Sequence, residues 1–252
     1  MPAPRNRFKQ ALNDRKTVFG CWLGLADTFS AELMGTTGFD WLVIDGEHAP
    51  NDLRSITAQL QVLEASPSHP VVRVPVGETY LIKQILDAGA QTILVPMVDN
   101  ADQARQLVRD VTYPPLGDRG VGYALTRAAR FSQIADYGTT ADAEICLLVQ
   151  VESVKGLKNL DDILAIDGID GVFIGPADLA ADMGHMGDLL HADVQHAIMA
   201  ALAKIAAAGK APGILSTHDP MTKDAINAGA RFVAVGADSL ILSHAAQALA
   251  AK

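Results

Sequence analysis

The segment DWLVIDGEH, residues 40–48, contains the pattern that decides the fold. It begins with a nearly continuous apolar run and ends in acids and a histidine. Strands of a parallel sheet covered on both faces have such runs, because neither face meets water. The segment therefore predicts a buried strand that ends in polar side chains.

Seven further segments share this pattern. They are TVFGCWLG (17–24), PVVRVPV (70–76), TILVPMV (92–98), ICLLVQVES (145–153), GVFIGPAD (171–178), APGILST (211–217) and FVAVGAD (232–238). Helical patterns occupy residues 29–38, 51–64, 79–88, 100–111, 155–166, 191–208, 219–228 and 238–250. This alternation predicts a single-domain parallel (β/α)₈ TIM barrel over residues 1–252. An open doubly wound sheet is the alternative, but GLADTFS after the first run lacks the glycine pattern of a phosphate loop.

Composition restricts the possible partners. The net charge of −9 argues against nucleic acid, which binds clustered Lys and Arg. No apolar stretch reaches the roughly 20 residues that span a membrane, and residues 1–16 predict a short amphipathic helix rather than a signal segment. We therefore expect a cytoplasmic protein in which Cys21 and Cys146, both inside apolar runs, are buried thiols.

Residues 113–144 form a long excursion between the fourth and fifth strands. Long connections in compact domains are uncommon and are often functional. Since active sites of such barrels lie at the carboxyl ends of the strands, we expect this excursion to contribute to the active site there.

Two carboxylates end consecutive predicted strands, Glu152 after the fifth and Asp178 after the sixth. Neighbouring strands lie about 4.8 Å apart, so these carboxylates would repel each other without a positive group between them. A hard divalent cation held by oxygen ligands would fill that role. The alternative is that each carboxylate pairs with an arginine, Arg73 in particular, and that no ion binds.

Other polar groups follow the second, third and fifth strands. His48 comes directly after Glu47 and is a candidate base, although a lone histidine is often only structural. Asp87, at the end of the third predicted helix, is a candidate partner for its ring. Arg73 lies inside an apolar run and must be paired, with a substrate oxygen or with a structural acid such as Asp45 or Glu152.

The positions of the lysines, cysteines and histidines argue against two kinds of catalytic site. None of the eight apolar runs contains a lysine, which argues against a Schiff-base aldolase. No Cys or His cluster has the spacing of a zinc site, so we expect any bound metal to prefer oxygen ligands.

These segments together resemble the HpcH/HpaI aldolase family, which includes 4-hydroxy-2-oxoheptanedioate aldolase and 2-keto-3-deoxy sugar-acid aldolases. The matching motifs are FDWLVIDGEHAPND, VVRVP, TILVPMVDNADQA, YPPLGDRGVG, LLVQVES and FIGPADLAADMG. They occur in order over most of the chain. The resemblance implies a TIM-barrel, metal-dependent pyruvate aldolase that cleaves 4-hydroxy-2-oxo acids into pyruvate and an aldehyde, a reaction of aromatic catabolism.

The resemblance also implies roles for individual residues. Glu152 and Asp178 would bind Mg²⁺ or Mn²⁺, with Co²⁺ as a further possibility and no nucleotide cofactor. Asp45 and Glu47 would hold water beside the ion, His48 would be the base supported by Asp87, and Arg73 would stabilise the enolate. The residues implied in substrate binding are Gln150, Gly175, Ala177, Leu215, Arg119 and Tyr123. A homohexamer with helices exchanged between subunits is the expected assembly.

Three other functions remain open from the sequence. A lyase acting on CoA thioesters would need a basic groove for the CoA phosphates, and none is evident. A barrel enzyme for a phosphorylated substrate would use amides in LSTHD and VGADS. A non-catalytic metal or carboxylate sensor would keep Glu152 and Asp178 without turnover. The aldehyde partner is not determined by any one residue, since Arg119, Arg127 and Tyr123 have structural explanations as well.

Overall fold

The computed structural model describes all 252 residues, and eight parallel strands close into one barrel. The strands are β1 Val18–Leu23, β2 Trp41–Asp45, β3 His69–Arg73, β4 Thr92–Val95, β5 Cys146–Val151, β6 Gly171–Ile174, β7 Ala211–Leu215 and β8 Phe232–Ala237. Each strand pairs with its neighbour in sequence, and β1 also pairs with β8, so the sheet has no edge. The predicted TIM barrel and all eight predicted strands are confirmed.

Helices surround the barrel. They are α1 Arg7–Asn13, α2 Thr28–Met34, α3 Leu53–Leu63, α4 Thr79–Asp87, α5 Ala101–Val111, α6 Tyr137–Glu144, α7 Val154–Lys158, α8 Leu160–Leu164, α9 Pro176–Asp182, α10 Ala192–Ala207, α11 Asp219–Asn227 and α12 Asp238–Ala250. The helix predicted at 155–166 is two short helices, and α6 and α9 were not predicted. None of the helices combines the length and the apolar character that crossing a lipid bilayer requires.

Aromatic side chains fill the inside of the barrel. Trp22, Trp41, Phe173 and Phe232 belong to one buried cluster, distinct from the larger apolar layer between strands and helices. Gly20 makes room for the indole of Trp41, because a Cβ at that position would collide with it. The interior is therefore a packed core at mid-height, which leaves the carboxyl end of the barrel for polar groups.

Alternation along the strands directs those polar groups inward. Val43 and Val71 belong to the interior cluster, so Asp45 and Arg73, two residues further along the same strands, face the same side. The parallel register places Asp45 directly opposite Arg73. The same alternation applies to Leu148 and Gln150 on β5 and to Glu152, which directly follows this strand.

Helix α1 closes the amino-terminal end of the barrel. Phe8 packs against Trp41 at 5.7 Å between ring centroids, against Phe232 at 6.0 Å, and in parallel with His69 at 5.7 Å. The Asn6 side chain begins the helix by accepting a hydrogen bond from the Lys9 amide. The amphipathic helix predicted for the N-terminal segment is confirmed.

The excursion at residues 113–144 lies at the amino-terminal end, and its predicted position is wrong. It follows α5, which has already run back from the carboxyl ends of the strands, and it leads directly into the first residue of β5. Arg127 donates to the Ala88 carbonyl just after α4 and pairs with Glu64 just after α3. The excursion therefore packs around the base of the barrel, remote from the carboxyl ends of its own strands.

Candidate active site

An ion-pair cluster lies at the carboxyl ends of β2 and β3. The Arg73 guanidinium donates to both oxygens of Asp45, from Nε at 2.8 Å and from Nη2 at 2.7 Å. Its remaining Nη1 lies 2.8 Å from Glu47 Oε2. Arg73 is thus paired with Asp45, one of the two structural acids that the sequence suggested as its partner, and also with Glu47. It makes no ion pair with Glu152, the other predicted acid.

Arg73 is also held from one side by an aromatic ring. Its Cζ atom lies 5.4 Å from the centroid of the Trp22 ring, in cation–π contact. Burial opposes ionisation of Asp45, but the hydrogen bonds and charge of Arg73 outweigh it and lower the pKa of that carboxyl. The site therefore contains a permanently charged and rigidly oriented guanidinium facing the mouth of the barrel.

Glu152 is buried, with only 3% of its surface exposed, and both of its oxygens accept hydrogen bonds. Oε1 accepts from the Met97 amide at 2.8 Å, and Oε2 accepts from Gln150 Nε2 at 2.7 Å. Met97 has a positive φ of 56°, which is uncommon for a residue with a side chain. The backbone thus adopts a strained conformation where it orients this carboxylate.

Asp178 lies in the first turn of α9, the helix that follows β6, near Glu152. Burial raises the pKa of Glu152, and the negative charges of Asp178 and Glu47 raise it further. Burial likewise raises the pKa of Glu47 despite its pairing with Arg73. Four carboxylates, those of Asp45, Glu47, Glu152 and Asp178, therefore lie around one guanidinium, which pairs with the first two, so this end of the barrel has an excess of negative charge.

The arrangement fits a hard divalent cation. Glu152 and Asp178 provide oxygen ligands, and a positive ion between them would relieve the repulsion that their proximity creates. Gly175 provides the space, because a Cβ at that position would collide with the Glu152 carboxylate. Asp178 is exposed, so it has access to an ion that keeps part of its water shell.

His48 is at the mouth and faces solvent. Its ring is 67% exposed, and Nε2 lies 4.0 Å from Glu47 Oε1. The predicted support from Asp87 is wrong within one chain. Asp87 ends α4 at the opposite end of the barrel, where its Oδ1 lies 3.3 Å from Arg119 Nη2.

The predicted substrate residues fall into two groups. Gly175 is buried beside Glu152, Ala177 is exposed in the first turn of α9, and Leu215 ends β7, all at the carboxyl end. Arg119 and Tyr123 lie in the excursion at the amino-terminal end, so their assignment to the active site of the same chain is wrong. Arg119 is fully buried, with Cζ 4.3 Å from the Tyr113 ring centroid.

The structure places Gln150 against Glu152, and its predicted contact with pyruvate stays a prediction. It is buried, and its amide donates to Glu152, so it orients a predicted metal ligand. Its own Oε1 has no hydrogen-bond partner, which leaves an acceptor free beside the site.

Three contributing residues were missed in the sequence. Trp22 and Met97 are described above. Asp238 is buried after β8 and accepts hydrogen bonds from the Gly24 amide at 2.8 Å and from Ser30 Oγ at 3.0 Å, which ties the loop after β1 to the barrel. Asp238 is the last residue of the predicted strand segment 232–238, just as Asp178 is the last residue of segment 171–178. This position could have marked Asp238 as a candidate site residue. Nothing in the sequence indicated the backbone conformation of Met97.

A second group of side chains that could hold a metal ion lies outside the barrel mouth. Nitrogen and oxygen atoms of His185, His191 and Asp193 all lie within 4.8 Å of one another. No Cys or His cluster with the spacing of a zinc site was predicted from the sequence, so this candidate group was not anticipated. The residues are separated along the chain by a loop, and only its fold brings their side chains together. The predicted buried thiols are confirmed, since Cys21 and Cys146 are both free and buried.

The fold and the site are those of a TIM barrel that carries a cluster of acids and candidate metal ligands at the carboxyl ends of its strands. The profile of the HpcH/HpaI aldolase/citrate lyase family matches residues 18–245, and the chain belongs to this family. The predicted family and the predicted enzyme class, a carbon–carbon lyase, are confirmed.

Named relatives cover nearly the whole chain. The hydroxypyruvate/pyruvate aldolase of Roseobacter denitrificans is 58% identical over 100% of this chain and 98% of its own length. The 4-hydroxy-2-oxo-heptane-1,7-dioate aldolase of Salmonella paratyphi C is 53% identical over 98% of this chain and 94% of its own length. The crystal structure of an HpcH/HpaI aldolase/citrate lyase family protein from Burkholderia cenocepacia superposes with a TM-score of 0.92 at 43% identity, covering 97% of this chain and 98% of that one.

Proposed function

We propose that this chain is a divalent-metal-dependent aldolase that cleaves 4-hydroxy-2-oxo acids into pyruvate and an aldehyde and also catalyses the reverse addition. The observation that carries the proposal is the Arg73 guanidinium, fixed by Asp45 and Glu47 at the mouth of the barrel beside the Glu152 and Asp178 carboxylates. A fixed cation beside two candidate metal ligands suits a reaction in which negative charge develops on a keto oxygen.

Glu152 and Asp178 would hold Mg²⁺ or Mn²⁺, which, when bound, supplies a Lewis acid for the carboxylate and keto oxygens of pyruvate. Arg73 contributes a second positive charge in a fixed orientation. Because its fork is already held by two acids, little reorganisation is needed as the oxygen becomes negative. Backbone amides at Gly175, Ala177 and Asp178 begin α9, where a helix N-terminus favours the substrate carboxylate.

His48 has the exposure that a proton-transferring group at the mouth requires. In cleavage it would take the proton of the 4-hydroxyl group, and the bond between C3 and C4 would break. The bonding electrons pass toward C3 and the keto oxygen, and protonation at C3 then completes pyruvate. In the addition direction the same imidazole would return the proton to the aldehyde oxygen.

The names of the relatives support a proposal about the donor substrate. Several relatives of 55–59% identity are named hydroxypyruvate/pyruvate aldolases. We propose that hydroxypyruvate replaces pyruvate as a second donor, and that cleavage of the corresponding 3,4-dihydroxy-2-oxo acids returns it. The 4-hydroxy-2-oxoheptanedioate reaction and a place in aromatic catabolism are the narrower alternative, supported by relatives at 53% identity.

The proposed assembly is a homohexamer in which α12 packs against a neighbouring subunit. Leu240, Ile241, Leu242 and Leu249 on this helix are 47–64% exposed, so much of its apolar surface lacks a partner within one chain. Light scattering coupled to gel filtration would measure the mass, and a monomer at micromolar concentration would contradict the proposal. We also propose a cytoplasmic location, supported by the two free thiols, which suit a reducing compartment.

A coupled assay tests the reaction. Protein treated with EDTA is supplied with 4-hydroxy-2-oxo acids, with lactate dehydrogenase and NADH reporting pyruvate, and Mg²⁺ or Mn²⁺ is then restored. We expect turnover that depends on the metal and is absent in Glu152→Gln. Folded protein that releases no pyruvate from any such acid would contradict the proposal. Cleavage of a citryl or malyl thioester instead would establish the CoA-thioester lyase. Metal binding without turnover of either substrate would establish the sensor.

A further inference from the structure

We propose that His185, His191 and Asp193 form a second cation site, specific for a borderline transition metal such as Zn²⁺ and independent of the aldolase site. The three side chains present two imidazole nitrogens and one carboxylate oxygen, all within 4.8 Å of one another. Mixed nitrogen and oxygen ligands suit Zn²⁺, whereas Mg²⁺ prefers oxygen alone.

The loop between α9 and α10 creates this arrangement. The His185 carbonyl accepts from the Asp188 amide at 2.9 Å, and the Asp188 carbonyl accepts from the His191 amide at 3.2 Å. Two successive four-residue turns thus bring His191 over His185, and their rings stack with centroids 3.6 Å apart. Gly184 and Gly187 have φ values of 86° and 79°, which a residue with a side chain rarely adopts.

Helix α10 fixes the third ligand. His191 precedes the helix, and its Nδ1 accepts from the Asp193 amide at 3.3 Å, as a capping side chain does. The Asp193 carboxylate lies 3.8 Å from the same Nδ1. Ligand atoms of a tetrahedral zinc site lie about 3.4 Å apart, given metal–ligand distances of about 2.0–2.1 Å. Binding an ion therefore requires a rearrangement: the ligand atoms, up to 4.8 Å apart, approach one another, and the two rings rotate out of their parallel stack so that each points a lone pair at the ion. Because His191 Nδ1 accepts from the Asp193 amide, His191 would coordinate through Nε2. Both histidines are only partly buried and their loop contains two glycines with positive φ, so the side chains have room to rotate.

The position of the cluster indicates its effect. Its loop directly follows α9, the helix that carries Asp178 in its first turn, and leads into α10. A cation bound by both histidines and by Asp193 would join the end of one helix to the start of the next. We expect Zn²⁺ to raise the melting temperature through this cross-link.

Calorimetric titration with Zn²⁺ in saturating Mg²⁺ tests the proposal, since Mg²⁺ occupies oxygen sites and leaves imidazoles free. The chain for this test carries Glu152→Gln and Asp178→Asn, which remove the proposed aldolase site. We expect one Zn²⁺ per chain, and none after His185→Ala and His191→Ala are added. His196→Ala, which removes an exposed histidine on α10 outside the cluster, is the matched control and should leave the stoichiometry at one.

Two outcomes would overturn the proposal: no Zn²⁺ bound before the histidines are replaced, or full binding that survives their replacement. If the Glu152 and Asp178 substitutions prevent folding, the same titration is made on the otherwise native chain in saturating Mg²⁺. His185→Ala/His191→Ala in that chain should retain metal-dependent aldolase turnover. The second cation site and the proposed aldolase site can therefore fail separately.

Discussion

At the amino-terminal end of the barrel, the apolar ring of Phe8 packs against Trp41 and Phe232. At the carboxyl end, by contrast, the buried side chains are the charged groups Glu152 and Arg73. The first end gains stability from burying apolar rings. At the second end, burial raises the pKa of Glu152, so its ionised form opposes folding until a cation neutralises it. Stability and proposed chemistry are thus concentrated at opposite ends of one barrel, and substitutions at each end should have different consequences.

The largest expected effect is on activity at the carboxyl end. Glu152→Gln should lower turnover by at least about 1,000-fold, because it removes a ligand of the Lewis acid. In EDTA it should leave the melting temperature unchanged or raise it, because a buried charge is lost while Gln150, whose Oε1 lacks a partner, can reorient to accept. The measurements are the pyruvate assay and thermal unfolding.

Glu144→Gln is the control for this substitution. Glu144 accepts from the Asn6 amide at the other end of the barrel, so its replacement should leave activity unchanged. A large fall in melting temperature for Glu152→Gln in EDTA would show that Glu152 has a structural role and would remove the contrast between the two ends.

At the amino-terminal end, the largest effect should be on stability. Phe8→Ala should cost about 3–5 kcal/mol of unfolding free energy, because it leaves a cavity among three rings. Denaturant titration measures this, and kcat of the remaining folded protein should be unchanged. Phe131→Ala, which removes a 65% exposed ring at the same end, should cost little. A loss of kcat in folded Phe8→Ala would show that the two ends are coupled.

Arg73→Lys should have an intermediate effect. Lysine keeps the charge but replaces the planar fork, so it cannot bind both Asp45 oxygens and Glu47 in the same way. We expect kcat to fall by about 100-fold, with a smaller change in KM. Arg109→Lys changes an exposed fork paired with Asp118 and should keep normal kinetics. Near-native kcat in Arg73→Lys would leave Arg73 only a structural role.

The smallest effect concerns acid stability at the amino-terminal end. Burial and the charge of Arg7 lower the pKa of His69 from 6.5 to about 3. The unfolded chain therefore binds this proton more tightly than the folded one. The contribution of neutral His69 is fully present above pH 6.5 and is lost as pH falls from there toward 3.

His69→Gln tests this contribution, because glutamine can approach Thr92 Oγ1, which lies 2.8 Å from His69 Nε2, without titrating. Between pH 6.5 and 4.5 the native chain should lose about 2 kcal/mol more unfolding free energy than the variant. Chemical denaturation across this range measures the difference. Parallel curves for the two proteins would mean that His69 accepts a proton without cost when folded.

Prediction from sequence succeeded where the pattern is local. The apolar runs from residues 17 to 238 predicted eight strands, because burial on both faces requires continuous apolar side chains. Glu152 and Asp178 were predicted as metal ligands because each ends such a run, and the structure places both at the carboxyl end of the barrel. The predicted position of the excursion was wrong for a specific reason: α5 intervenes between β4 and residue 113, and the chain has by then returned to the amino-terminal end.

The sequence by itself determined the barrel and the order of its strands. It also placed Asp45, Arg73 and Glu152 at the carboxyl ends of the strands, because the pattern of a strand is local and can be read from neighbouring residues. Only the tertiary structure decided the partners of these groups. The Arg73 fork on Asp45 depends on the register between strands, and the Met97 amide on Glu152 depends on a backbone conformation that its side chain does not favour. Asp87 pairs with Arg119 and not with His48, because Asp87 is the last residue of α4 and lies at the end of the barrel opposite His48. Which distant residues meet depends on how the whole chain folds, so neighbouring residues in the sequence do not determine it.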